Sequence, residues 1–140
     1  MAFIKKYKRP FPVGLGIRRR VAPFHKTDKS MKYCIDFAMP LGTPILAARA
    51  GTVLENIDHY KKNYSDPKMS DKCNLITLMH PDGQTSIYIH LSWRSSRVKI
   101  GDVVEVGQII ALSGNTGYAG YPHLHFGVYD SKGESIPVYF

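Results

Sequence analysis

Six histidines are spread along this 140-residue chain, at positions 25, 59, 80, 90, 123 and 125. Two of them stand one residue apart in Tyr121-Pro122-His123-Leu124-His125-Phe126-Gly127-Val128-Tyr129. Polar and apolar residues alternate there, and β-branched and aromatic side chains are frequent, which predicts a β-strand. The side-chain period of a strand is two, so His123 and His125 share one face while Leu124, Phe126 and Val128 form the opposite, core-directed face. Two imidazoles so placed can serve one metal ion, or one can bind metal while its neighbour carries a proton. The plain alternative is a half-buried strand that happens to hold two histidines.

Other polar residues strengthen the metal reading. Asp36 interrupts an apolar run, Cys34-Ile35-Asp36-Phe37-Ala38. A carboxylate inside such a strand is costly unless it is paired or bound to metal. His90 occupies the polar register of Ile87-Tyr88-Ile89-His90-Leu91, with Tyr88 expected either to line a groove or to pack. His25 precedes a polar loop, His59 lies in a charged loop and reads as surface, and His80 adjoins the Pro81-Asp82-Gly83 turn and reads as structural or exposed. Catalytic zinc takes three protein ligands and leaves a position for water, and two histidines with one aspartate meet that need. Histidines left over beside such a centre can take a proton and stabilise an oxyanion. No His-Glu-x-x-His helix is present, which excludes a glutamate base of the thermolysin kind. Serine- and cysteine-nucleophile motifs are absent as well.

The elements that must position these groups are strands. Expected strands are 33–39, 45–48, 51–56, 74–80, 85–91, 98–104, 107–112, 121–129 and 136–140, with turns at Leu41-Gly42-Thr43-Pro44, Pro81-Asp82-Gly83 and Gly114-Asn115-Thr116-Gly117. No 12-residue window has helical periodicity. Many short strands with regular turn signals predict an all-β, antiparallel sandwich or barrel. Residues 58–72 read as a mobile surface loop. The proline- and glycine-punctuated, basic stretch 1–22 reads as an extended segment packed on a single domain of residues 23–140, with Arg18-Arg19-Arg20 as a solvated charge run.

Nineteen Lys+Arg against eleven Asp+Glu give a net charge of +8. That implies an anionic partner, whether nucleic acid, a membrane face or a cell-wall polymer, with general solubility as the plain alternative; no nucleic-acid motif accompanies the basic residues. No apolar run reaches the ~18–20 residues of a transmembrane helix. The first twenty residues lack the apolar core of a leader. The expectation is therefore a chain that starts in the cytoplasm or has been trimmed. Cys34 and Cys73 form no Cys-x-x-Cys pair and read as free buried thiols.

Five ordered segments, Tyr33-Cys34-Ile35-Asp36-Phe37-Ala38-Met39-Pro40-Leu41-Gly42-Thr43-Pro44, Tyr88-Ile89-His90-Leu91, Val104-Glu105-Val106-Gly107-Gln108, Ser113-Gly114-Asn115-Thr116-Gly117 and Pro122-His123-Leu124-His125-Phe126, together resemble the lysostaphin/LytM-like zinc metallopeptidases. The resemblance runs from about residue 23 to 140. It implies the duplicated hybrid motif fold, an antiparallel sheet around a groove, and a monomeric Zn²⁺-dependent endopeptidase acting on stem or cross-link peptides of bacterial peptidoglycan. With no leader segment it also implies a compact phage endolysin, made in the cytoplasm and acting on the wall or periplasm, or a secreted enzyme trimmed to this domain. It implies Asp36 and His125 as metal ligands, and His90 and His123 as catalytic histidines that do not bind metal, with their two roles unassigned between them. Many family members place the remaining ligand four residues before the aspartate, where this chain has Lys32. A subgroup with a similar aspartate segment places it further upstream after a phenylalanine, which His25 matches, with His59 in reserve. The alternative within the same fold is a catalytically silent member that binds wall or activates an amidase. A lipoyl-type barrel, suggested by Gly101…Val104…Gly107-Gln108, would leave the histidines unexplained.

Overall fold

The computed structural model describes residues 5–20, 25 and 28–140; the boundary expected at 22/23, and Pro23-Phe24 ahead of His25, lie outside the described residues. Ten strands follow in chain order: β1 (Arg18–Arg20), β2 (Ile35–Ala38), β3 (Pro44–Leu46), β4 (Gly51–Ile57), β5 (Leu75–Met79), β6 (Thr85–Ile89), β7 (Val103–Val104), β8 (Ile109–Leu112), β9 (His123–Tyr129) and β10 (Ser135–Ile136). Eight form one sheet in the order β1-β2-β9-β6-β5-β4-β7, with β10 also on β9, and β3 pairs with β8 in a second sheet. Every named strand pair is antiparallel. The all-β expectation holds. Two single-turn 3₁₀ segments, Lys29–Met31 and Pro67–Met69, are each opened by an aspartate whose side chain accepts a backbone N–H.

The central strand β9 lies between β2 and β6, and its register defines two faces. Phe126 is opposite Ile35 and Tyr88, and Leu124 is opposite Phe37. Those side chains, with Leu78, Val53, Ile45, Ile110 and Ala111, belong to one continuous core cluster that joins both sheets. Burial of this apolar surface is the main stabilising contribution. Tyr88 is fully buried, so packing rather than the groove takes it. Its hydroxyl accepts the Ala48 N–H at 2.9 Å and contacts Ser86 Oγ at 2.9 Å, which in turn reaches His80 Nε2 at 2.9 Å. His80 Nδ1 donates to the Ala50 carbonyl. His80 is thus structural, the end of a buried polar chain joining β6 to residues 48–50.

Several elements differ from expectation. Of 98–104 only Val103–Val104 pairs; Asp102 accepts the Lys99 N–H and Gly101 takes φ +92°, so the rest is a turn. The last strand stops at Ile136 because Pro137 has no N–H to donate. Arg18–Arg20 is solvated, as expected, but also forms the edge strand β1 on β2. Before it, the extended segment packs: Tyr7 and Phe11 are buried in the core cluster, and Lys8 N and Pro10 O bond to Ala48 O and Leu46 N. Both cysteines are free and buried. No helix among the described residues is long and apolar enough to cross a membrane.

Candidate metal centre and groove

Asp36 and His125 face each other directly across β2 and β9, with His123 two register pairs along, opposite Ala38. All three therefore occupy the face of the sheet that the core does not use. Loops cover that face. Asp36, His123 and His125 are buried, and His25 is at 0% exposure. The His25 Nδ1–H donates to the Cys34 carbonyl at 3.2 Å, which holds the ring over the start of β2. Its Nε2 then lies 3.7 Å from Asp36 Oδ1, while His125 Nδ1 lies at 3.1 Å and His123 Nε2 at 3.6 Å from the same oxygen. Three imidazole nitrogens thus converge on one carboxylate oxygen. One ligand atom each from His25, Asp36 and His125 all lie within 4.8 Å of one another. His59, the reserve, is exposed and stacks on Tyr60 instead.

His90 follows the last residue of β6 rather than lying in the strand. It has φ +71°, a left-handed conformation uncommon for a side-chain-bearing residue and frequent at functional sites. The buried Asn74 carbonyl accepts both the His90 and Leu91 N–H groups. Asn74 Nδ2 donates to the carbonyls of Tyr60 and Leu91. Thr116 completes the support: its carbonyl accepts the His90 Nδ1–H at 2.7 Å and its hydroxyl donates to Leu91 O. The Ser113-Gly114-Asn115-Thr116-Gly117 turn can approach this closely because of its glycines. A Cβ on Gly114 would stand 2.9 Å from the His90 carbonyl, and one on Gly117, at φ +80°, 2.6 Å from Cys73 Cβ.

The ring of His90 meets that of His123 at 4.7 Å and that of His125 at 6.2 Å. A carbonyl can only accept, so His90 donates Nδ1–H to Thr116 and His123 donates Nδ1–H to Tyr121, at 2.7 Å each. Each ring, when neutral, keeps an unprotonated Nε2. Burial, then the neighbouring His123, pushes His90 down to about 3. Burial also lowers His123 and His25, in both against the pull of Asp36. For His125 burial works the same way, but the Asp36 hydrogen bond and Cys34 outweigh it and push the group up to about 9. Burial alone would raise the Asp36 carboxyl; the surrounding histidines, His125 foremost, hold it below the ordinary value. Without metal the centre therefore holds one proton between Asp36 and His125, where a divalent cation would have two nitrogens and an oxygen as donors. That donor set fits zinc.

A groove of about 490 Å³ opens over the centre, with Asp36, His90, His123 and His125 exposed to it and Asn63, Tyr64, Ser65, Tyr118, Ala119, Gly120 and Tyr121 around it. Residues 58–72 form the surface loop expected, but it is anchored. Asn63 Nδ2 donates to the carbonyls of Asn115 and Ala119, and Tyr64 N–H to that of Gly117, so this segment is tied to the turn before β9. Sequence reading missed Asn63, Asn74, Thr116 and the three groove tyrosines, because only the meeting of two loops gives them a role. The Asn-Thr pair inside the glycine turn was the one available signal.

The model of the family described as Peptidase family M23 matches residues 30–137. The chain belongs to peptidase family M23. Asp36, His90, His123 and His125 fall inside that match, and His25 lies five residues ahead of it. Lysostaphin of Staphylococcus simulans is 37% identical over 118 residues, 84% of this chain and 19% of its own. The crystal structure of its catalytic domain superposes with TM-score 0.60 at 31% identity, covering 94% of this chain and 88% of that one. Peptidoglycan DD-endopeptidase ShyA of Vibrio cholerae is 37% identical over 111 residues, 79% of this chain and 21% of its own. A crystal structure of a zinc containing peptidase from Vibrio cholerae matches with TM-score 0.66 at 27% identity, over 94% of this chain and 39% of that one. The chain spans about a fifth of the length of the curated relatives it matches.

Proposed function

We propose that this M23 domain is a zinc endopeptidase that hydrolyses peptide bonds in bacterial peptidoglycan, with His25, Asp36 and His125 holding the metal and His90 and His123 as the catalytic pair. The observation that carries the reading is the convergence of His25, His123 and His125 on one buried Asp36 oxygen beneath an open groove. Zinc, when bound, would acidify a water and polarise the scissile carbonyl. The remaining chemistry belongs to the two spare imidazoles. Each has its Nδ1–H engaged by a carbonyl, so each takes a proton at Nε2. Once protonated, that same nitrogen is a donor, able to stabilise the oxyanion or to return the proton to the leaving amine.

The relatives named above are an antimicrobial peptidase and a peptidoglycan endopeptidase, which supports the same substrate class here. A net charge of +8 suits docking on an anionic wall, where a monomer would act, as an endolysin or as a bacterial wall enzyme. Residues 1–22 belong to the working unit as its N-terminal segment, ahead of the 23–140 peptidase domain, a division supported by the packing of Tyr7 and Phe11. A silent wall-binding or amidase-activating role is the less favoured reading, because all five expected polar positions are filled.

The deciding experiment is zinc analysis of the purified chain combined with mass spectrometry of fragments released from isolated peptidoglycan. One zinc per chain and new peptide amino termini are expected, with release lost in His123→Ala while zinc is retained. A chain that binds no zinc, or that releases nothing when zinc-loaded, defeats the proposal.

A further inference from the structure

The register of the main sheet extends the metal centre sideways into two arginines. Arg20 is opposite Asp36, which is opposite His125; Arg18 is opposite Ala38, which is opposite His123. Directly opposed residues share a face. Both rows therefore run across the groove face, and each arginine starts one strand spacing, about 4.8 Å, from β2. The Arg20 guanidinium carbon lies 5.4 Å from the centre of the Tyr121 ring. Tyr121 lines the groove and lies 4.6 Å from the His123 ring. Both arginines are exposed, and among the described residues neither forms an ion pair with a carboxylate. Arg19, between them, is opposite Phe37 on the other face and lines a separate cleft with Lys32 and Tyr33.

A guanidinium presents a planar fork that matches a carboxylate in two parallel hydrogen bonds. Here Arg20 reaches the rim of a peptide-sized groove through Tyr121, Arg18 starts from the same face of the sheet, and neither has a carboxylate partner among the described residues. Resting on the peptidase reading above, we infer that Arg20, backed by Arg18, determines specificity by binding a free carboxylate of the substrate about one residue from the scissile bond. The preferred class is then an anionic cross-link peptide rather than a neutral, glycine-only or amidated one. The alternative for charged residues on a sheet edge is that they only prevent edge-to-edge pairing. That role would make Arg19 and Arg20 equivalent, whereas carboxylate binding makes them different.

The test uses the zinc-loaded full chain and two synthetic cross-linked peptides that differ only in a carboxylate or a carboxamide beside the scissile bond. Wild type is expected to favour the carboxylate in kcat/KM by about tenfold, the worth of one charge-assisted contact. Arg20→Gln should bring that ratio near unity, mainly through KM, Arg20→Lys should restore part of it, and Arg19→Gln should keep it. Equal hydrolysis of both peptides by wild type, or loss of the preference in Arg19→Gln to the same extent, overturns the inference and leaves the peptidase reading intact. Hydrolysis of neither peptide overturns both.

Discussion

At the scale of single residues, the proposed function separates metal holding from proton handling. Asp36 is the shared oxygen for three imidazole nitrogens, whereas His90 bonds to the Thr116 carbonyl and meets the rings of His123 and His125. Asp36→Asn should therefore abolish zinc retention, while His90→Ala keeps zinc and loses about 10²–10⁴-fold in peptide hydrolysis, the usual range for a general acid–base group. Metal content and hydrolysis rate measured on the same samples check this. Metal affinity should also depend on pH. Below about 9 the metal-free His125 keeps a proton that Asp36 holds, and a metal must displace it. His25, lowered by burial, gives up its proton more readily than a free imidazole. Affinity is thus expected to fall by roughly tenfold per pH unit on acidification from 8 to 6, as read by chelator competition. A flat profile would contradict the arrangement.

At the scale of elements, the strands supply the floor of the groove and two loops supply its walls. The 58–72 segment forms no strand; an isolated bridge between Asn63 and Gly117, backbone bonds of Lys62 and Tyr64 to Gly117, and Asn74 at Tyr60 hold it, and one side chain adds to them. Asn63 Nδ2 bridges two carbonyls of the 115–119 turn. Asn63→Ala leaves the strands intact but removes both bonds. The expected cost is about 1–2 kcal/mol, with a larger relative effect on KM than on unfolding. Hydrogen exchange should show faster opening of Tyr64 N–H, which bonds to Gly117, while β9 amides stay protected. Unchanged exchange at Tyr64 would mean that the wall is held by something other than Asn63.

At the scale of the whole molecule, the N-terminal segment is joined to the domain through both core and surface. Phe11 packs edge-to-face on Phe37 at 4.9 Å and is buried. Phe11→Ala should cost about 3 kcal/mol in denaturant unfolding, as for a core aromatic; a change near zero would show residues 5–20 to be an appendage. At the surface, Asp82 pairs with both Lys6 and Arg49 at 3.0 Å. Burial alone would raise its carboxyl, but the Arg49 and Lys6 bonds hold it far below the ordinary range. A depressed carboxylate adds stability that is present above its unfolded pKa of about 4 and lost as pH falls toward the folded value. Asp82→Asn should thus melt slightly below wild type at pH 7, and the gap should close between pH 5 and 2. Because the pair is partly exposed, salt should narrow the gap at neutral pH as well.

The amino-acid order alone determined the strand floor and most of the centre. Alternation has a period of two and needs no partner to be read, so the shared face of His123 and His125, the misfit of Asp36 in an apolar run, and the core role of Leu124, Phe126 and Val128 were legible in a few residues each. Tertiary structure decided what depends on distant segments meeting. His25 reaches Asp36 through a bond to the Cys34 carbonyl, the groove walls exist because Asn63 finds the turn before β9, and Arg20 gains its place only when β1 pairs with β2. Such contacts are made by side-chain reach and strand register across the sheet, and neither leaves a periodic mark in the local sequence.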